Sequence, residues 1–284
     1  MRILIVLEGE RTEPDFFQSI LQRFELNAEL CVVGTNLYTL YHKCKEYFFD
    51  CDIKDVLKEL IRDDETKKRL DQKFAYTYLV FDADLHHKAP EQRGLSVSTK
   101  ELLADNFPKL IEMAEHFTDE TDPSIGRLYI NYPMMESFRY CNTFDDDQYL
   151  SATIPIAMLG KFKSLASQMK LSGIAVTEYK KEDFIKLMQM NIKRLKNLSE
   201  DCPNILSYQT YQSISVAQEI AAKQYDIVQD KQELWVLNTC LFLILDYFGN
   251  KNGFYNLFIR INHISTAYGV LNLTGQFHAG ERCV

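Results

Sequence analysis

Three acidic side chains stand where short apolar runs end. Ile3 to Leu7 is followed by Glu8-Gly9, and Tyr76 to Phe81 runs directly into Asp82-Ala83-Asp84. Continuous apolar runs rich in β-branched and aromatic residues are expected of strands buried on both faces of a parallel sheet. Ligands of such sheets bind outside the carboxyl ends of the strands. Side chains alternate along a strand, so the i, i+2 spacing places Asp82 and Asp84 on one side, and with Glu8 three carboxylates can converge at one sheet edge. That cluster is electrostatically unfavourable unless a cation joins it, and hard oxygen donors suit Mg²⁺ or Mn²⁺. The chemistry that follows is at phosphate. A divalent ion polarises a phosphoryl oxygen and activates water, and Glu8 supplies a proton acceptor or donor beside it. Each piece alone is also an ordinary turn or cap residue; the joint occurrence is what informs.

The elements that must position these groups can be read from periodicity. After Glu8, Thr12 with Asp15 and Pro14 marks a helix start, and Phe16, Phe17, Ile20, Leu21 and Phe24 form one helical stripe. Leu30 to Val33 reads as a second strand. Residues 35–73 form an insertion with at least one helix around Val56, Leu57, Leu60 and Ile61. Tyr76 to Phe81 is a third strand, Glu101 to Phe117 a helix, and Arg127 to Tyr132 a fourth strand stopped by Pro133. Alternating strands and helices predict an α/β fold with a mainly parallel sheet flanked by helices over residues 1–144. Residues 145–284 read as a mostly α-helical accessory or oligomerisation domain, with helical periodicity near 150–170, 181–198 and 213–248 and an ambiguous tail from Tyr255 to Leu273. The apolar stretch Leu234 to Phe248 reads as a buried helix.

The stretch Leu4-Ile5-Val6-Leu7-Glu8-Gly9-Glu10-Arg11-Thr12-Glu13-Pro14 resembles the glutamate motif of Toprim domains, in particular the EGE-basic-TEP form of their RloB-like branch. Tyr78-Leu79-Val80-Phe81-Asp82-Ala83-Asp84 is similar to the Toprim D-x-D motif. The resemblance covers residues 1–140. It implies a Toprim-like sheet in which Glu8 acts in acid/base chemistry and Asp82 and Asp84 hold Mg²⁺. Glu13 matches the family's second glutamate, an additional ligand, and reads equally well as a first-turn residue facing the helix dipole. Asn131-Tyr132-Pro133-Met134-Met135-Glu136 is similar to the N-P-x-F-E motif of RloB-like proteins, with residues inserted and no aromatic before Glu136, so Glu136 is a weaker ligand candidate. The 35–73 insertion is long for a minimal Toprim domain and is expected to carry substrate or partner contacts.

Composition narrows the choice of chemistry. The chain has 284 residues, 46% of them hydrophobic, with 40 acidic against 32 basic side chains, a net charge of −8. It is long enough for one large or two small domains without staples and too apolar for general disorder. The acidic balance argues against indiscriminate nucleic-acid wrapping, which depends on Lys and Arg. Residues 151–200, however, carry a local balance of +5, and Lys180, Lys181 and Lys186 there are candidates for phosphate steering. Tyr179 and Phe162 among them could stack on bases or belong to the core. Lys88, after His86-His87, is a further candidate phosphate contact.

Seven cysteines without a C-x-x-C pair resemble neither a disulfide framework nor a zinc cage, so a reducing cytoplasm is expected. The apolar run at Ile3 to Leu7 is shorter than a signal-peptide core of about 7 to 15 residues. The longest apolar stretch, broken by Asn238 and Asp246, falls short of the about 20 residues of a membrane span.

Other phosphate chemistries fit less well. In haloacid-dehalogenase-type phosphatases Gly-Thr follows the D-x-D, whereas here the sequel is Leu85-His86-His87-Lys88. No G-x-x-x-x-G-K-[ST] loop and no G-x-S-x-G elbow occurs. Toprim domains serve topoisomerases, primases and nucleases, and the remainder of this chain shows neither a topoisomerase nor a primase signature. The resemblance to RloB-like and OLD-type proteins therefore implies a Mg²⁺-dependent nuclease of DNA or RNA in prokaryotic antiphage defence or abortive infection. It would work alone, as a homo-oligomer, or beside a separate ATPase partner. The competing expectation is a non-catalytic Toprim-like binding or regulatory subunit of a defence complex.

Overall fold

Ile3–Leu7 (β1) is fully buried at all five positions, which only a central strand covered on both faces can satisfy. In the computed structural model, which describes residues 2–198 and 211–249 apart from Arg11, Pro90, Glu91, Arg93 and Ile214, β1 pairs in parallel with Ala28–Val32 (β2) on one side and Tyr76–Asp82 (β3) on the other. Gly126–Asn131 (β5) adds to β3 in parallel, and Thr118–Asp119 (β4) closes the edge antiparallel to β5. The order β2-β1-β3-β5-β4 is the mainly parallel α/β sheet expected. Its register sets Leu7 opposite Val80 and Asp82 opposite Asn131, so the chain leaves β1, β3 and β5 at nearly one level.

Thr12–Phe24 (α1) buries the predicted stripe of Phe16, Phe17, Ile20, Leu21 and Phe24. The insertion holds three helices, Leu37–Glu46 (α2), Ile53–Leu60 (α3) and Asp64–Leu70 (α4), each begun by an acidic or amide cap: Asn36, Asp52 and Asp63. Thr99–His116 (α5) starts at a reciprocal Ser98/Glu101 capping box.

The second half departs from the periodicity reading. Lys181–Leu198 (α7) matches the expected helix. The 150–170 stretch instead breaks into Thr153–Pro155 (β6), short 3-10 turns and the five-residue helix Phe162–Ala166 (α6). The expected 213–248 helix is Ala217–Lys231 (α8), Glu233–Trp235 (β7) and Phe242–Gly249 (α9). Gln232 enters the left-handed region at φ 55° and ends α8, and β7 then pairs antiparallel with β6. A run as apolar as 234–248 carries no period that separates a strand from a helix. The Tyr255 to Leu273 tail lies outside the described residues.

One hydrophobic core runs through the described chain from β1 to α9. Phe16 of α1 meets Phe138 at 4.6 Å and Phe184 of α7 at 5.5 Å between ring centroids, and Tyr132 bridges to Leu237. Packing is therefore continuous across residue 145. Among the described residues no helix is long and apolar enough to cross a membrane.

Candidate active site

The ends of β1, β3 and β5 open into a cleft of about 700 Å³ lined by Glu8, Glu13, Asp82, Asp84, Glu136 and Lys163, with Thr35 and Asn36 on its rim. All five carboxylates singled out in the sequence thus lie in one cavity. Glu8 reaches across from β1, and its Oε2 accepts the Asp82 backbone N–H at 3.0 Å. Burial pushes the Glu8 carboxyl up from an ordinary 4.5 to about 8; the Asp82 N–H opposes this, and repulsion from Asp84 and Glu13 adds to it. Burial also raises Asp82 well above the usual carboxylate range, with Glu8 the largest of four repelling neighbours. The cluster holds more negative charge than its own hydrogen bonds stabilise.

Strand alternation is not what brings Asp84 to the cleft. β3 ends at Asp82, and Asp84 sits at φ 36°, a left-handed conformation that Asp tolerates better than most residues. Its N–H donates to Pro133 O at 3.2 Å and its carbonyl accepts from His87 N at 2.7 Å. Beneath this turn Ala83 N donates to Asn131 O, and the buried Tyr38 hydroxyl donates to Ala83 O at 2.5 Å. His86 Nδ1 lies 3.1 Å from Asp84 Oδ1. His87 instead stacks on Tyr38, with centroids 5.1 Å apart, and its Nδ1 is 3.2 Å from Asn36 Nδ2.

Glu13 and Glu136, the two weaker candidates, are the most deeply buried of the five, at 7% and 3% exposure. Glu13 folds back over Gly9 so closely that a Cβ there would lie 2.3 Å from Glu13 Oε2; the glycine of Glu8-Gly9 is needed for that approach. Burial raises the Glu13 carboxyl, the backbone N–H groups of Glu13 and Gly9 oppose this, and Glu136 repels it. Glu136 is held by Lys163, Nζ to Oε1 2.8 Å, with Arg139 farther off at 3.8 Å. Lys163 is the one basic side chain among the described residues lining the cleft. It was not singled out in the sequence because nothing there ties it to Glu136.

The remaining candidates lie elsewhere. Lys88 donates to Leu95 O at 2.9 Å. Lys181 sits over the Phe24 ring, Lys186 pairs with Asp145 at 3.6 Å, and Lys180 is exposed at the start of α7; none lines the cleft. The basic 151–200 face is also smaller than its composition suggests, because Arg194 is fully buried against Trp235 and donates to the carbonyls of Val236, Leu150 and Ala152. Phe162 and Tyr179 belong to the core.

The donor set is chemically suited to a hard divalent cation: carboxylate oxygens, crowded and repelling. As the side chains stand, no three Asp, Glu, His or Cys groups among the described residues form a closed cage, and the Glu8 oxygen that faces Asp82 is occupied by a backbone N–H. No protein-family model, curated protein or solved structure matches the chain.

Proposed function

We propose that the cleft is the active site of a metal-dependent phosphodiesterase of the Toprim type that cuts DNA or RNA, as the effector of a prokaryotic antiphage or abortive-infection system. The observation that carries this reading is the contact of Glu8 with the Asp82 N–H at the carboxyl ends of adjacent parallel strands, inside a cleft that also holds Glu13, Asp84 and Glu136. Asp82 and Asp84 are assigned as holding Mg²⁺ or Mn²⁺, with Glu13 and Glu136 completing the set. When bound, such an ion polarises a phosphoryl oxygen and activates water.

The chain's own groups do the rest. In the metal-free chain burial raises the Glu8 carboxyl to about 8, and its oxygen not facing Asp82 is placed to take a proton from water or give one to a leaving oxygen. Lys163, exposed along its side chain and resting on Glu136, offers the positive charge that draws a phosphodiester into an otherwise acidic cleft.

The test is cleavage of labelled DNA and RNA strands by the purified protein with Mg²⁺ or Mn²⁺, alone and with any separate ATPase partner. Cleavage is expected, falling to background in Asp82→Ala and by about 10²- to 10⁴-fold in Glu8→Gln. Cleavage that survives both substitutions overturns the site. No cleavage under any condition overturns the enzyme reading and leaves the binding or regulatory subunit in its place.

A further inference from the structure

Beside the carboxylate cleft lies a second groove of about 560 Å³ that shares Glu10, Gly34, Thr35 and Thr39 with it. Its far wall comes from the insertion, where the end of α3 contributes Leu60 and the link to α4 contributes Arg62. The chemistry assigned to the cleft uses none of this surface. The groove alone is of the size that takes a small-molecule-sized ligand, about 300–1,000 Å³.

Its lining is specific in kind. Arg62 is exposed, and its side chain makes no ion pair or hydrogen bond with the described residues. Its neighbour Asp63 does not claim it, because that carboxylate is turned to α4, accepting from Thr66 N at 2.7 Å and Thr66 Oγ1 at 2.6 Å. Val32 and Leu60 are half-buried apolar side chains in the same wall. Thr35 offers a hydroxyl and Glu10 an acceptor where the two cavities join.

The charges also have an order. Lys163 lines the cleft and not the groove; Arg62 lines the groove and not the cleft; Glu10 lies where the two join, and the groove's Asp63 is taken up by Thr66. A ligand that ends at the reacting phosphate has no use for Arg62. A polyanion that continues past it meets Lys163 on the cleft side and Arg62 on the groove side. An apolar wall can take a base face only if that base is unpaired, as single strands permit.

We propose that this groove binds the nucleotide next to the scissile phosphate of a single-stranded nucleic acid. Arg62 holds that nucleotide's outer phosphate, Val32 and Leu60 meet its base, and Thr35 and Glu10 face its sugar and base-edge donors. This rests on the phosphodiesterase reading above.

The experiment is fluorescence anisotropy of the full chain with a labelled, slowly hydrolysed phosphorothioate single strand in Mg²⁺, titrated at several salt concentrations. Arg62→Glu is expected to weaken binding about tenfold and to reduce the log–log salt slope by about 0.7, the value for one phosphate contact on a single strand. Arg62→Lys keeps most of the slope. Lys68→Glu makes the same charge change on α4 outside the groove and leaves both quantities as in the wild type, which supports a local contact. If Arg62→Glu binds as the wild type, or Lys68→Glu weakens binding equally, the groove assignment is overturned and the phosphodiesterase reading stands. If the wild type binds no single strand, the groove assignment falls, and the phosphodiesterase reading is decided by the cleavage assay above.

Discussion

Glu8 concentrates the chemistry of the site in one carboxyl. Its pKa rises from 4.5 to about 8 mainly because it is buried, so the folded chain binds a proton there that the unfolded chain releases. Wherever the folded state binds more protons, stability falls as pH rises. In metal-free buffer the thermal midpoint is therefore expected to drop as pH climbs from 4.5 toward 8, and Glu8→Gln, which has no proton to lose, flattens that slope. Mg²⁺ requires deprotonated ligands, so its stabilising effect should be larger above pH ~8 than below pH ~5. Midpoints measured by circular dichroism with and without Mg²⁺ check both statements, and a wild-type slope equal to that of Glu8→Gln would remove Glu8 as the titrating group. The identities of Glu8 and Asp82 were legible in the sequence because each ends an apolar run. Two further features were not. The left-handed turn of Asp84 depends on Pro133 and Tyr38 from other segments, and the Lys163 to Glu136 ion pair joins residues with no shared periodicity.

At the scale of elements, strands and amphipathic helices read well where a single face or two full faces are buried. β1, β3, β5 and α1 carry such patterns and lie within a residue or two of their expected positions. The strap from Val236 to Cys240 does not, because its structure is set by polar contacts. The buried Asn238 side chain donates to Met135 O at 3.3 Å and Ser137 Oγ at 3.2 Å, and its N–H donates to Asn191 Oδ1 of α7 at 2.8 Å. Thr239 Oγ1 donates to Ile130 O of β5, and Cys240 N to Asn131 Oδ1. These bonds fasten the turn that carries Glu136 to the helical half. Asn238→Ala would leave buried acceptors unmatched and is expected to cost about 2 kcal/mol, read from urea unfolding. A change below about 0.5 kcal/mol, the size of an ordinary surface substitution, would show that the strap does not hold the turn.

For the whole molecule, charge and packing lead to different boundaries. A net −8 with +5 in residues 151–200 suggests two parts with separate roles, and the change from strand–helix alternation to helical periodicity near residue 145 points the same way. The core ignores that division: α8 packs on α5 through Phe107 and Tyr225, with centroids 5.1 Å apart, α7 reaches α1, and the strap pairs with Tyr132 beside β5. Apolar burial is the dominant favourable term in folding, so elements that share a core lose stability together when either side opens. A single cooperative unfolding transition is therefore expected by calorimetry, with calorimetric and van't Hoff enthalpies in agreement. The same continuity predicts that a fragment ending at residue 144 exposes the faces of Phe16, Phe138 and Tyr132 that α7 and the strap cover, and so does not hold Glu136 in the cleft. Two separable transitions, or a native-like fragment of residues 1–144, would instead make the sheet an independent unit and the helical half an attachment to it.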